Sequence, residues 1–208
     1  MSDAGTPFEH EFDEAAAFPG PGDKLFPGTR RIRHASPSRS TLQDWYDYTT
    51  GYKEAADILV TYVEATGQRR QDKLCYPILF LYRQHLELVV KRLIRECYDV
   101  LAREADFPKH HYLDRLWRLC ASLLLEISPT TSQIELSETT RLFDELCGVD
   151  PTSDAFRYPE HTDSNALFGH GGDVNLGVVR DVANKISFFL DCIDTSLRTE
   201  RDSFYRDR

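Results

Sequence analysis

An arginine and a histidine lie close together in a short segment that is too rich in proline and charge for the middle of a helix. Arg157 and His161 enclose Tyr158 in the segment FRYPEH, residues 156–161. Arginine can hold a phosphate through paired hydrogen bonds, and histidine can transfer a proton near neutral pH. Tyr158 offers a ring on which a base can stack. The segment predicts phosphodiester chemistry, with Arg157 on the scissile phosphate and His161 as the acid or base.

The same segment also suits a purely structural role. Arg157 would then bond Glu87 or the carboxyl end of a helix, because a buried arginine needs such a partner. In that interpretation Tyr158 packs against the protein and His161 is an ordinary loop residue. The residue types alone leave both interpretations open.

A second polar cluster lies in the most apolar stretch of the chain. Arg83, His85 and Glu87 fall within two turns of a predicted helix, and Arg83 and Glu87 share one face because they are four residues apart. The cluster predicts either the lining of a site or an internal ion pair, and the ion pair is favoured because buried charges are generally paired. A further interpretation joins both clusters: Glu87 orients Arg157, and His85 or His161 does the acid–base work.

Neither a metal site nor a cofactor is predicted. His110 and His111 precede a helix, where capping and partial burial explain them. Metal binding would need further ligands, and the sequence contains neither an HExxH nor an HxH spacing.

The bulk composition limits the classes of protein to which the chain belongs. Its 208 residues are 41% hydrophobic, which is enough for a core, and no run of 18 apolar residues predicts a membrane span. The acidic start lacks the apolar stretch of a secretory signal, and the five scattered cysteines indicate reduced thiols, so a cytoplasmic location is expected. The net charge of -9 argues against a general nucleic-acid surface but is compatible with a local basic pocket.

The first part of the chain differs in composition from the rest. Residues 1–39 contain five prolines and carry acidic residues followed by basic ones. This pattern predicts an extended or disordered arm, which is either an interaction tail or a solvated leader. Residues 40–202 are expected to form a helical bundle, and residues 203–208 a frayed tail.

Apolar residues in the second part recur every three or four positions, which predicts helices. The expected helices run from Ser40 or Thr41 to Gly67, from Pro77 to about Ala102, over about 111–126, from Ser137 to Gly148, and from a cap at Asp173 beyond Leu197. No period-two strand is evident. The fold class predicted is all-α, an antiparallel bundle around a long central helix.

Four segments in this order resemble the HEPN superfamily of helical-bundle domains. They are Trp45–Val63, Arg83–Lys91 with its Arg-Gln-His-Leu-Glu start, His111–Leu116, and the Arg-Tyr-Pro of 157–159. The resemblance covers roughly residues 41 to 200. It implies an α-bundle that often dimerises.

Two functions follow from the resemblance. Many members are metal-independent ribonucleases of toxin–antitoxin, CRISPR-linked or phage-defence systems. For this chain the resemblance implies an endoribonuclease that acts on RNA. It also implies a homodimer and a cognate partner or antitoxin. The expected catalytic residues are Arg157 and His161, supported by Arg83, His85, Glu87, Tyr158 and His111. Other members are non-catalytic modules that bind a partner protein or nucleotide. The gap of three residues between Arg157 and His161 is shorter than in the nuclease members, which favours the non-catalytic module. The polar cluster of Arg83, His85 and Glu87 favours the ribonuclease, to which we give a slight preference.

Overall fold

The chain folds into α-helices throughout the part that its computed structural model describes, which comprises residues 19, 24–25, 41–66, 71–104, 108–158 and 173–206. The helices are α1 (Thr41–Thr66), α2 (Gln71–Val100), α3 (Leu113–Ile127), α4 (Gln133–Val149) and α5 (Leu176–Arg206). These residues contain no β-strand, so the all-α class is confirmed. None of the described helices is long and apolar enough to cross a membrane.

Contacts divide the chain into Met1–Pro37 and Ser38–Arg208, and all five helices belong to the second unit. The predicted arm of residues 1–39 lies almost entirely outside the described residues. α5 continues to Arg206, although a frayed tail was expected from residue 203.

α2 is the central element of the helical unit, because it packs against α1, α3 and α5. Its buried side chains lie on most of its circumference, which is typical of a helix surrounded by protein. Leu93, Ile94 and Cys97 join the larger core cluster with α3, α4 and α5. Ile78 and Tyr82 join a second cluster with α1 and the start of α5. Polar residues on α2 are therefore buried unless they lie at a gap between its neighbours.

Two aromatic side chains join α3 to α4. Trp117 and Phe143 are almost fully buried, and their rings meet edge to face with centroids 5.1 Å apart. The indole N–H of Trp117 donates to Oγ1 of Thr140 at 2.8 Å, so the polar atom of the buried ring is satisfied.

The starts predicted for α2, α4 and α5 are wrong, and α2 and α4 begin earlier than expected. α2 begins at Gln71 rather than Pro77, and the proline inside the helix removes one backbone hydrogen bond. Packing of Leu74 and Cys75 against the second core cluster stabilises the turns before it. α4 begins at Gln133, four residues before Ser137, because Leu136 reaches the core.

The start of α5 is capped by Asn175 rather than by Asp173. The side-chain oxygen of Asn175 accepts the backbone N–H of Val178 at 3.1 Å. Asparagine and aspartate are almost equally good caps, so the sequence could not choose between them.

Removal of the Phe143 ring should be far more costly than removal of an exposed ring. We expect Phe143→Ala to lower the free energy of unfolding by about 3–5 kcal/mol, because Phe143 is fully buried and a cavity remains beside Trp117. Tyr48→Ala is the control, since the Tyr48 ring is 61% exposed and its loss should change stability by less than about 0.5 kcal/mol. Urea unfolding measures both values, and similar losses in the two variants would contradict the packing described here.

Candidate functional site

Three buried charged side chains form a row along one face of α2. Arg83, Glu87 and Lys91 follow one another at intervals of four residues. Both Arg83 and Lys91 donate to the Glu87 carboxylate at 2.8 Å, one to each oxygen. The side chains of Arg83 and Glu87 are almost entirely buried, so the predicted internal ion pair is formed in the core.

The third partner of Glu87 is His111, which precedes α3. Nδ1 of His111 lies 2.7 Å from Oε1 of Glu87, while 59% of the His111 side chain is exposed. Burial by itself raises the pKa of Glu87, but hydrogen bonds from Lys91, Arg83 and His111 outweigh it and hold the pKa below its ordinary value. A charged carboxylate accepts only, so Nδ1 of His111 carries the proton that it donates. The imidazole is thereby fixed in one tautomer, with Nε2 left as its proton acceptor.

Arg83 connects this carboxylate to two loops. Its Nη2 donates to the backbone oxygen of His111 at 2.8 Å. Its Nε donates to the backbone oxygen of Asp150 at 3.2 Å and forms an ion pair with Oδ2 of Asp150 at the same distance. Asp150 is completely buried. One arginine therefore ties α2 both to the start of α3 and to the end of α4.

Asp150 in turn holds the segment of residues 150–158 in shape. Its Oδ1 accepts the backbone N–H groups of Asp154 and Ala155 at 2.9 and 3.1 Å. Ser153, within the turn, has a φ of 69°, a left-handed conformation that costs energy for any residue other than glycine. The two hydrogen bonds to Asp150 offset that strain and fix the turn against Arg83.

Arg157 leaves this turn and remains near the surface. Its guanidinium forms hydrogen bonds with the Asp154 carboxylate and the backbone oxygen of Ser153, and 39% of the side chain is exposed. The Arg157 Cζ atom lies 5.9 Å from the ring centroid of Phe80 and 5.4 Å from that of Tyr158, within cation–π range. The interpretation that Arg157 pairs with Glu87 is wrong, because the described partners of Glu87 are Arg83, Lys91 and His111.

Of the two predicted site residues that follow Arg157, the structure describes Tyr158 but not His161. Tyr158 is 57% exposed beside Arg157, so its ring is accessible for stacking. His161 lies outside the described residues, and its role remains a prediction.

His85 points away from this site and has a structural role. Its Nδ1 donates to the backbone oxygen of Thr49 on α1 at 2.8 Å, and its Nε2 lies 2.7 Å from the Ser187 hydroxyl on α5. Burial lowers the pKa of His85 from 6.5 to about 4, so the ring is neutral near pH 7. The Ser187 hydroxyl also donates to the backbone oxygen of Ala183 at 2.8 Å, so its single proton lies between that oxygen and Nε2 of His85. The interpretation of His85 as the acid or base beside Glu87 is therefore wrong, because both ring nitrogens are used to join three helices.

Sequence reasoning missed Asp150 and underestimated Lys91. Asp150 precedes Pro151, a dipeptide that signals a turn, but nothing local links it to Arg83. Lys91 is the i+4 partner of Glu87 and resembles a surface pair, yet it is 7% exposed. In the described part of the chain, no group of three His, Cys, Asp or Glu side chains is arranged to hold a metal ion.

Comparisons with protein-family models, curated proteins and solved structures gave no match to this chain. The HEPN resemblance therefore stays a prediction.

The Arg83–Glu87 pair should be strongly coupled in stability. Arg83→Met and Glu87→Gln should each lower the free energy of unfolding by about 3–5 kcal/mol, because each leaves buried charges without their partner. The double variant should lose clearly less than the sum of the two. The exposed pair of Arg141 and Glu145 has the same i,i+4 spacing, so Arg141→Met is a matched control with an expected loss under about 0.5 kcal/mol. Additive losses at Arg83 and Glu87, measured by urea unfolding, would disprove the coupling.

The lowered pKa of His85 should make stability depend on pH. The folded protein keeps His85 neutral down to about pH 4, whereas the unfolded chain takes up the proton below about 6.5. Stability is therefore fully present above pH 6.5 and falls by about 1.4 kcal/mol per pH unit between 6.5 and 4. Unfolding at pH 7.5, 6 and 5 should show this slope for the wild type and a smaller one for His85→Gln. Equal slopes would show that His85 is not the group responsible.

Proposed function

We propose that the chain is a HEPN-like antiparallel bundle that cleaves RNA without a metal, as a cytoplasmic effector of a bacterial defence or toxin–antitoxin system. The observation that supports this most is the exposed imidazole of His111, oriented by the buried carboxylate of Glu87 at 2.7 Å. A carboxylate that orients a histidine and fixes its tautomer is the arrangement of a general base. The resemblance of four segments to HEPN proteins agrees with this chemistry.

The proposed reaction is an internal transesterification. Nε2 of His111 takes the proton of the ribose 2'-hydroxyl, and the 2'-oxygen attacks the neighbouring phosphorus. The bond from phosphorus to the 5'-oxygen breaks, leaving a 2',3'-cyclic phosphate, and His161 supplies the proton for the departing oxygen. Arg157, whose sequence position predicts a contact with the scissile phosphate, instead binds a phosphate of the same strand about three nucleotides away. This assigns the base to His111, which sequence reasoning had placed in a supporting role.

The spacing along α2 is compatible with one RNA strand contacting both groups. Phe80, beside Arg157, and Glu87, beside His111, lie on the same face two turns apart, roughly 10 Å along the helix axis. A stacked strand covers that length with about three nucleotides at ~3.4 Å each. Tyr158, exposed beside Arg157, would stack a base of that strand.

A homodimer and a cognate partner belong to the same proposal. Val178 and Phe188 on α5 are 55% and 72% exposed, and apolar side chains of this kind suit contact with a second copy or with an antitoxin. A dimer would bring two Arg157 elements into one composite site. The partner would control access to that site.

The alternative function is a non-catalytic module that binds a partner protein or nucleotide. The observation that favours it is the engagement of Arg157, whose guanidinium already has Asp154 and the oxygen of Ser153 as partners. An arginine held in this way stabilises its own turn. In this alternative the Glu87 network serves stability alone.

RNA cleavage in the presence of EDTA tests the proposal. Wild-type protein should cleave total RNA, and His111→Ala should reduce the rate by about 10²–10⁴-fold, because the general base is lost. His110→Ala is the matched control, since His110 contacts Tyr112 rather than Glu87, and it should keep its activity. Arg157→Ala and His161→Ala should each lower the rate while the circular dichroism spectrum stays helical.

Two results would contradict this proposal. No cleavage by the wild type, alone or as a dimer, favours the non-catalytic module. Cleavage that His111→Ala leaves intact would remove His111 from the mechanism, even if His161→Ala abolished it.

A further inference from the structure

The segment that carries His111 continues into a tyrosine and an arginine that contact each other at the surface. Tyr112 directly precedes α3, and Arg115 lies in the first turn of that helix. The Arg115 Cζ atom lies 4.4 Å from the centroid of the Tyr112 ring, within cation–π range. The His110 ring is tilted by 53° from that of Tyr112 and so does not stack on it. Tyr112 is 37% exposed and Arg115 is also exposed. We name Tyr112 and Arg115 the stacking pair.

Arg115 differs from most arginines of the chain in having no carboxylate partner. Among the arginines whose side chains the structure describes, only Arg95 and Arg115 form no ion pair with an aspartate or glutamate. Lys109, two residues before His111, is exposed and also has no ion pair within the described part of the chain. In a chain with a net charge of -9, these two cations form a local basic patch. Their charge is available to an anionic ligand.

An arginine in contact with an aromatic ring suits an unpaired nucleotide. Bases stack on tyrosine rings and on guanidinium planes, because every base has a flat π surface. The N–H groups of Arg115 have no carboxylate to bond, so they can donate to the phosphate of the same nucleotide. A base inside a duplex has both faces covered by its neighbours. The stacking pair therefore selects a base that is free of a duplex.

The stacking pair adjoins the histidine to which the cleavage is assigned. His111 and Tyr112 are consecutive, so their Cα atoms are about 3.8 Å apart. Successive nucleotides of a stacked strand are separated by a similar distance of ~3.4 Å. A nucleotide whose base lies on the stacking pair therefore has its sugar or its neighbouring phosphate within reach of His111.

We infer that Tyr112 and Arg115 form the subsite for the nucleotide next to the scissile bond. Tyr112 holds the unpaired base by stacking, and Arg115, with Lys109, holds the phosphate. The place of this subsite beside the scissile bond rests on the proposed function, the cleavage at His111. Stacking contacts the face of a base rather than its edge, so the subsite accepts all four bases but excludes a base pair.

Binding of a strand that cannot be cleaved tests the subsite separately from the chemistry. A fluorescein-labelled 2'-O-methyl RNA of eight nucleotides lacks the hydroxyl that attacks in the proposed reaction. Fluorescence anisotropy with the full-length chain and EDTA gives its Kd. Tyr112→Ala should raise the Kd about 5–100-fold because a stacking ring is lost, whereas Tyr112→Phe keeps the ring and should stay within about twofold. The same strand in a duplex should bind the wild type about tenfold more weakly.

Matched variants separate the effect of stacking from that of charge. Arg115→Lys keeps the charge but loses the planar group, so it should weaken binding almost as much as Arg115→Ala. Arg95→Ala removes the other exposed arginine without an ion pair among the described residues, and should change the Kd by less than about twofold. Tyr48→Ala removes a ring that is 61% exposed on α1 and should bind like the wild type. Circular dichroism checks the folding of each variant.

The binding and cleavage assays distinguish failure of the subsite from failure of the proposed function. No binding by the wild type, an equal Kd for Tyr112→Ala, or a duplex bound as tightly as the single strand overturns the subsite, even if RNA is cleaved. If the strand binds through Tyr112 and Arg115 but natural RNA stays intact, the cleavage is wrong and the subsite stands as that of a non-catalytic module. Should Tyr112→Ala not fold, Arg115→Lys and the duplex comparison decide.

Discussion

The buried carboxylate of Glu87 is the constraint on which the polar part of this structure depends. Removing such a charge from water costs several kcal/mol, and a single ion pair does not repay that cost. Three donors do so here: Arg83, Lys91 and His111. Because Arg83 also bonds the backbone at His111 and Asp150, satisfying one carboxylate fixes the start of α3 and the end of α4 against α2. The position of Arg157 follows from that of Asp150, since Asp150 holds the turn from which Arg157 extends.

The same network links stability to the proposed chemistry. A carboxylate that must stay charged in the core also fixes the tautomer of His111, whose ring is partly in water. A histidine oriented only by solvent would sample both tautomers and many ring positions. Here Arg83 and Lys91, which stabilise the Glu87 carboxylate, also hold it in the position that orients the His111 imidazole. A change at either residue should therefore affect both the stability and the proposed chemistry. The structural ion pair and the proposed site therefore depend on the same residues on one face of α2.

The two sides of α2 differ in how closely their charges pair. Around Glu87, each carboxylate oxygen has a donor at 2.8 Å, although Oδ2 of the neighbouring Asp150 has no hydrogen bond among the described residues. Around Arg92, the nearest carboxylate oxygens are 3.6–3.7 Å away, beyond hydrogen-bond length. The close pairs around Glu87 therefore contribute more to holding the helices together than the longer pairs around Arg92.

Local pattern in the sequence determined the helices and the Arg83–Glu87 pair, because residues four apart on a helix are neighbours whatever the rest of the chain does. Helix starts were less certain, as at Pro77, where packing of the preceding residues overrode the local signal. Only the tertiary structure decided which distant groups meet: Asp150 reaches Arg83 across 67 residues, and Ser187 reaches His85 across 102. It also decided that Arg157 pairs with Asp154 rather than Glu87. Helical periodicity is a local property, whereas the partners of a buried charge depend on how helices pack, which single residue types do not encode.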